Sequence, residues 1–139
     1  MDSHIYTDLV LVSSRVMRKL IREAMPGESA TDLGALALLE QNSNIPMSTF
    51  ALQFGTSQPA VTKVVNKLAG QGFISKNKSP NDMRQTLIAI TPKGLEFLQA
   101  QRMIAAQYLE KLFHSLNEED LAAIRRSVEI LKNKVDDPR

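Results

Sequence analysis

The chain has 139 residues, of which 43% are hydrophobic, 23% charged and only 5% aromatic, with a formal net charge of +2. That size and balance suit one folded domain that buries a core alone or with a twin subunit, and they exclude a disordered chain. Cysteine is absent, which excludes disulfide staples, thiolate nucleophiles and cysteine-based zinc sites.

No apolar run approaches the roughly 18 residues that a membrane-spanning helix needs. The N-terminus also lacks the basic region, apolar run and cleavage site of a signal peptide, so a cytoplasmic protein is expected. Charge is spread unevenly. Residues 57–94 hold six lysines and arginines (Lys63, Lys67, Lys76, Lys78, Arg84 and Lys93) against Asp82 alone, between slightly acidic flanks. A basic middle of this kind suggests a localised contact with a polyanion.

In chain order, "IYTDLVLVSSRVMRKLIREAM" sets Ile5, Leu9, Val12, Val16 and Leu20 at helical spacing and stops at Pro26-Gly27. "TDLGALALLEQ" reads as a second helix with Thr31 as its N-cap, and "NSNIP" breaks it. "MSTFALQF" is a third, ended by Gly55, which can take the left-handed conformation that closes a helix tightly. Ser57 then caps a fourth, with Pro59 placed where a missing N–H costs little, so residues 48–70 read as helix, tight turn, helix.

"FISK" and "QTLIAI" read as two strands joined by the turn Ser79-Pro80-Asn81-Asp82. Thr91-Pro92 opens a long helix running to about His114, with Leu95, Leu98, Leu109, Leu112 and Phe113 on its apolar side. Asn117 caps the last helix, whose first turn carries Glu118, Glu119 and Asp120 where the helix dipole favours them. Leu121, Ile124, Val128, Leu131 and Val135 form a narrow seam along it of the kind that helix pairs use. The first and last helices offer more apolar stripe than the small middle can cover, so they are expected to bury it against each other or a second subunit.

The helix after Ser57 has two faces. Val61, Val64, Val65 and Leu68 share one, suited to packing on the preceding helix, which Ala51 lets cross closely. Pro59, Thr62, Lys63 and Asn66 repeat the same offsets on the other, with Gln58 beside them and Lys67 adjacent. No carboxylate falls between Ser57 and Lys78, whereas an ordinary solvated face mixes Glu with Lys. Short polar and cationic side chains are what base edges require: an amide pairs with adenine, Lys donates to guanine, and Pro or a Thr methyl touches thymine. Lys76, Lys78 and Arg84 near the tip of the following hairpin suit the adjacent minor groove or its phosphates, where narrowing favours an inserted Arg. Asp82, two residues before Arg84, suits bracing that loop by hydrogen bonding.

Together, "FALQFGTSQPAVTKVVNKLAGQGFI", the wing "DMRQTLIAIT" and "TPKG" opening a long helix resemble the winged helix-turn-helix of the MarR family of bacterial transcription regulators. The Asp-x-Arg of the wing, a strand, and then Thr-x-x-Gly form the most specific element. The resemblance implies a mainly α fold with a small β-hairpin wing, in one MarR-like domain spanning 1–139. Residues of about 30–94 would form the DNA-binding part, and about 5–25 and 95–136 the helices of a homodimer. It further implies two winged domains on a near-palindromic double-stranded operator, repression of nearby genes, and release by a small, often aromatic, ligand. By analogy Ser57, Gln58, Pro59, Thr62, Lys63 and Asn66 match recognition-helix positions, Arg84 the wing arginine, and Asp82 the acidic residue that supports the wing. Thr49 and Leu52 depart from the family in standing where acidic residues are common, and Lys76 stands where Arg is frequent.

Two rival readings carry less. An enzyme would need a constellation that is not visible: His4 and His114 lack ligand-spaced partners, and no Gly-rich phosphate loop follows a strand. No metal or cofactor is therefore expected. A winged helix used only for protein–protein contact predicts that Lys63, Asn66 and Arg84 meet an acidic protein instead of DNA.

Overall fold

A computed structural model describes residues 2–137. The elements run α1 (Ser3–Ala24), α2 (Ala30–Gln41), β1 (Ile45–Pro46), α3 (Met47–Phe54) and α4 (Gln58–Gly70). They continue with β2 (Ile74–Lys78), β3 (Thr86–Ile90), α5 (Pro92–Leu112) and α6 (Glu118–Asp136). The chain divides into two compact units, one up to Ala106 and one from Gln107 onward. None of the helices described is long and apolar enough to cross a membrane.

The first unit is built around Phe50, Leu36, Leu39, Leu68, Ile88, Val61 and Val65, each buried completely or nearly so. These come from α2, α3, α4 and β3, and Leu98 of α5 and Ile74 of β2 complete the cluster. Each such side chain contributes about 1.5–3 kcal/mol on removal from water. The Val61, Val65 and Leu68 face of α4 points into this core, with Val64 at its margin. Phe50 and Phe54, one turn apart on α3, stack with centroids 5.3 Å apart.

Caps set the helix ends. Gly55 adopts φ 76° and returns its N–H to the Ala51 carbonyl, closing α3. Ser57 Oγ accepts the Ala60 N–H and starts α4. Asn117 Oδ1 accepts the Asp120 N–H at the head of α6. The N-cap of α2 is Ser29, not Thr31: Ser29 Oγ accepts the Asp32 N–H, and Thr31 already lies inside the helix. Both residues have a suitable hydroxyl, and the extended backbone at Ser29 decides between them.

The wing is not a two-stranded hairpin alone. β1 adds a third strand on the open edge of β3, giving the antiparallel order β1-β3-β2. Ile45 pairs Ile88 and Pro46 pairs Leu87, while on the other side Ile74 pairs Ile90, Lys76 pairs Ile88 and Lys78 pairs Thr86. A Pro is tolerated in β1 because this is an edge strand with no further ladder to donate to. Asn44 supports the entry with φ 55°, a left-handed conformation that Asn accepts more readily than most residues. The segment had read as a break because two residues are too short for periodicity to show.

The Thr-x-x-Gly sequence joins the wing to α5. Thr91 Oγ1 accepts the Gly94 N–H and donates to the Gly72 carbonyl, while the Thr91 N–H reaches the Phe73 carbonyl. Gly94 lies flat against that Phe73 carbonyl, where a Cβ would not fit. Phe73 stacks on Phe97 of α5 with centroids 4.4 Å apart.

The apolar stripe of α1 is covered only at its end. Leu20 is buried, whereas Ile5, Leu9 and Val12 are exposed. In the second unit α6 has no buried residue, so the seam of Leu121, Ile124, Val128, Leu131 and Val135 lies open.

Candidate nucleic-acid interface

The outward face of α4 follows from its inward one. Once Val61, Val65 and Leu68 are anchored, a period of 3.6 leaves Gln58, Pro59, Lys63 and Asn66 exposed and Thr62 half-buried at the margin. Ser57 is exposed at the helix start but spends its oxygen on the cap. The Thr62 hydroxyl donates back to the Gln58 carbonyl at 2.9 Å, so its methyl and oxygen lone pairs are what it can offer outward. Lys63 makes no hydrogen bond or ion pair among the described residues.

Lys67 is directed differently. Its ammonium meets Asp32 of α2 at 2.5 Å, and the Asp32 side chain is only 13% exposed. The bond ties α4 to α2, and Lys67 is separated by it from the other cations of the helix. The sequence grouped Lys67 with its neighbours because Asp32 lies 35 residues away.

The wing places its polar residues beside α4. Alternation along β2 puts Lys76 and Lys78 on the same side as buried Ile74, the side facing the helix. Lys76 Nζ donates to Asn66 Oδ1 at 2.6 Å, and Lys78 Nζ lies 3.5 Å from Thr86 Oγ1. A groove of about 430 Å³ between helix and wing is lined by Thr62, Asn66, Lys76, Lys78 and Thr86. A second, of about 300 Å³, is lined by Gln58, Thr62, Arg84, Gln85 and Ser48. Neither lining contains a carboxylate.

At the tip, Asp82 Oδ1 accepts from both the backbone N–H and the Nε of Arg84, at 3.0 and 3.2 Å. The loop is closed further by Gln85 N–H to the Asp82 carbonyl and by Ser79 N–H to the Gln85 carbonyl. Arg84 remains 92% exposed, so Asp82 steers its base while the guanidinium tip stands in solvent. Among the described residues no group of three His, Asp or Glu is placed to hold a metal ion.

Away from this face, an apolar cavity of about 240 Å³ opens within the first unit among Leu20, Met25, Leu33, Ala37, Leu98 and Ala105. Gln101 and Arg102 are its polar members. Arg102 Nη1 donates to both oxygens of Glu40, at 2.7 and 3.0 Å, and so joins α5 to α2. Sequence reasoning had no means of finding this cavity, since its lining comes from three helices separated in the chain.

A family model for the MarR family matches residues 29–86, which run from the α2 cap through the wing tip. Over nearly the whole chain, HTH-type transcriptional regulator ML2140 of Mycobacterium leprae is 26% identical, covering 98% of this chain and 96% of its own. The matched stretch is similar to the helix-turn-helix and wing of the MarR family. Transcriptional repressor MprA of Escherichia coli is 27% identical across 79% of this chain and 64% of its own. Three solved structures share the MarR-family fold. RV1404 of Mycobacterium tuberculosis aligns with a TM-score of 0.81 at 17% identity, over 100% of this chain and 97% of that one. A mutant MarR of E. coli complexed with operator DNA gives 0.73 at 18%, over 93% and 94%. BpsR of Bordetella bronchiseptica, whose DNA binding is regulated by 6-hydroxynicotinic acid, gives 0.70 at 19%, over 99% and 94%.

Proposed function

We propose that this chain is a MarR-family transcriptional regulator and not an enzyme, acting in the cytoplasm as a homodimeric repressor that binds a near-palindromic double-stranded operator. In this reading α4 lies in the major groove and presents Gln58, Pro59, Thr62, Lys63 and Asn66 to base edges. Lys76, Lys78 and Arg84 follow the flanking backbone and minor groove. Ser57 fixes the start of α4, Asp82 braces the wing, and Lys67, paired with Asp32, holds α4 to α2 beside the reading face.

The observation that carries the reading is the composition of one surface. From Ser57 to Lys78 no side chain is acidic, and Gln58, Thr62 and Asn66 of α4 share two grooves with the wing cations. An anionic duplex repels carboxylates and accepts hydrogen bonds from the amides of Gln58 and Asn66 and from the lysine and arginine side chains there. Pairing of two chains is supported by the open apolar seam of α6 and the exposed stripe of α1, more bare aliphatic surface than a lone chain ordinarily carries. The operator-bound MarR structure and the repressor MprA support the same assignment.

Release by a small ligand belongs to the same proposal. The apolar cavity with Arg102 at its margin suits a compact aromatic molecule, and BpsR supplies the precedent of control by a hydroxylated aromatic acid. Titration of selected duplexes at several salt concentrations tests the central claim. Log affinity falls by about 0.9 per phosphate contact for each log unit of salt. Salt-independent binding, or no preference among duplexes in dilute buffer, refutes it.

A further inference from the structure

The bond between Lys76 and Asn66 has a consequence for which base the helix reads. The two residues stand on different elements, and Lys76 Nζ reaches Asn66 Oδ1 at 2.6 Å. An ammonium has three donors and no acceptor, so a carboxamide facing it must present its oxygen. That bond takes one of the two Oδ1 lone pairs, and the positive ammonium beside the other repels an approaching N–H such as adenine N6. What Asn66 presents to a base is then its amino half, with two N–H donors. An Asn that reads adenine needs both halves, its oxygen accepting from N6 and its nitrogen donating to N7.

Guanine makes the opposite demand. Its major-groove edge carries two acceptors, O6 and N7, and no donor. The Lys76 ammonium and the Asn66 amino group together form a donor-only surface of that kind. Both side chains are exposed, and the groove they line holds no carboxylate to compete for either. A second N–H of the ammonium stays available for a phosphate, so backbone contact and the hold on Asn66 are compatible.

We infer that Lys76 is a specificity-determining positioning residue, which fixes the Asn66 carboxamide so that this step of the operator is read as guanine instead of adenine. The inference rests on the proposed DNA-facing role of α4. It departs from the expectation that an amide here pairs with adenine and that Lys76 serves the minor groove or its phosphates.

Selection of bound duplexes from a random pool, run in parallel on the wild-type protein and on Asn66→Ala, Lys76→Met and Lys76→Arg, tests it. The step whose preference disappears in Asn66→Ala is the one that Asn66 reads. Guanine is expected there for the wild type and for Lys76→Arg, which keeps a donor-only partner. In Lys76→Met the amide is released, and the guanine-to-adenine ratio shifts by about ten-fold toward adenine, the scale of one good base contact. Adenine in the wild type at that step, an unchanged ratio in Lys76→Met, or no step altered in Asn66→Ala overturns the inference alone. A wild-type protein that selects nothing overturns the DNA-facing reading of α4 and this inference with it.

Discussion

Gly94→Ala tests whether the junction between wing and α5 is as tight as its geometry implies. Gly94 is buried in the first turn of α5, and a Cβ there would lie 2.2 Å from the Phe73 carbonyl oxygen, 3.0 Å from its carbon and 2.9 Å from Ile90 Cγ1. The first two are backbone atoms, so no rotamer change relieves the contact. An ordinary C···O approach is about 3.3–3.6 Å, and the helix start would have to retreat by about 1 Å. That retreat stretches the Thr91 N–H bond to the Phe73 carbonyl and the Thr91 hydroxyl bond to the Gly72 carbonyl. Overpacking costs about 1–3 kcal/mol and a weakened hydrogen bond about 0.5–1.5, partly offset by the better helix propensity of Ala, about 1 at most. The net is a destabilisation centred on about 2 kcal/mol, or a fall in Tm of about 6–8 °C for a chain of this length. Thermal and urea unfolding measure it, at a fixed protein concentration because association adds to apparent stability. Gly70→Ala is the control: it ends α4 with nothing within 4 Å of an added Cβ, and should be neutral or slightly stabilising. A Gly94→Ala protein that melts with the wild type would show that the close approach constrains nothing.

Lys63→Ala should remove about 1–3 kcal/mol of discrimination at one base step in each half-site, read by competition between selected duplexes and single-base variants. Arg84→Ala should weaken binding to many sequences alike and lower the salt slope by about 0.9 for each wing, and a change confined to one base would contradict that. Val128→Asp places a charge in the open seam of α6 without touching a buried residue. Sedimentation should then find a single chain where the wild type is expected to run as a dimer, and operator affinity should fall with it. Half-site centres about 34–36 Å apart, one helical turn, are expected from footprinting.

Much of this fold was legible because its signals are local. Gly55 and Ser57 bracket a turn whose conformations follow from their own side chains, and Thr91-Pro92 starts α5 for the same reason. The inward face of α4 followed from spacing alone. What escaped was short or non-local. β1 exists because β3 offers it an edge, and its two residues carry no period of their own. Ser29 displaced Thr31 as the cap because backbone conformation, not residue type, separates two hydroxyls two positions apart. The ties of Lys67 to Asp32, Arg102 to Glu40 and Lys76 to Asn66 join residues 35, 62 and 10 positions apart. Spacing says which face each partner occupies, and only the docked helices and wing say which faces meet.

Those ties change the meaning of the basic middle of the chain. Counting charge treats its six cations as equivalent, but the fold sorts them. Lys67 is held by Asp32, and Lys93 lies over the Phe73 ring with its ammonium on the Gln71 carbonyl, so both brace the scaffold. Lys76, Lys78 and Arg84 line the grooves between α4 and the wing, and Lys63 is exposed on α4. The first three are each anchored by a neighbour, at Asn66, Thr86 and Asp82, which aims the side chain while leaving donors to spare. A long cationic side chain loses rotamer freedom when it binds, at about 0.5–1.5 kcal/mol each, and a prior anchor lowers that loss. Lys63 alone lacks one, and it stands in the middle of the proposed reading face. An unanchored lysine there can search for an acceptor while its neighbours hold the register, which is the division of labour that a specific contact set among positioning contacts requires.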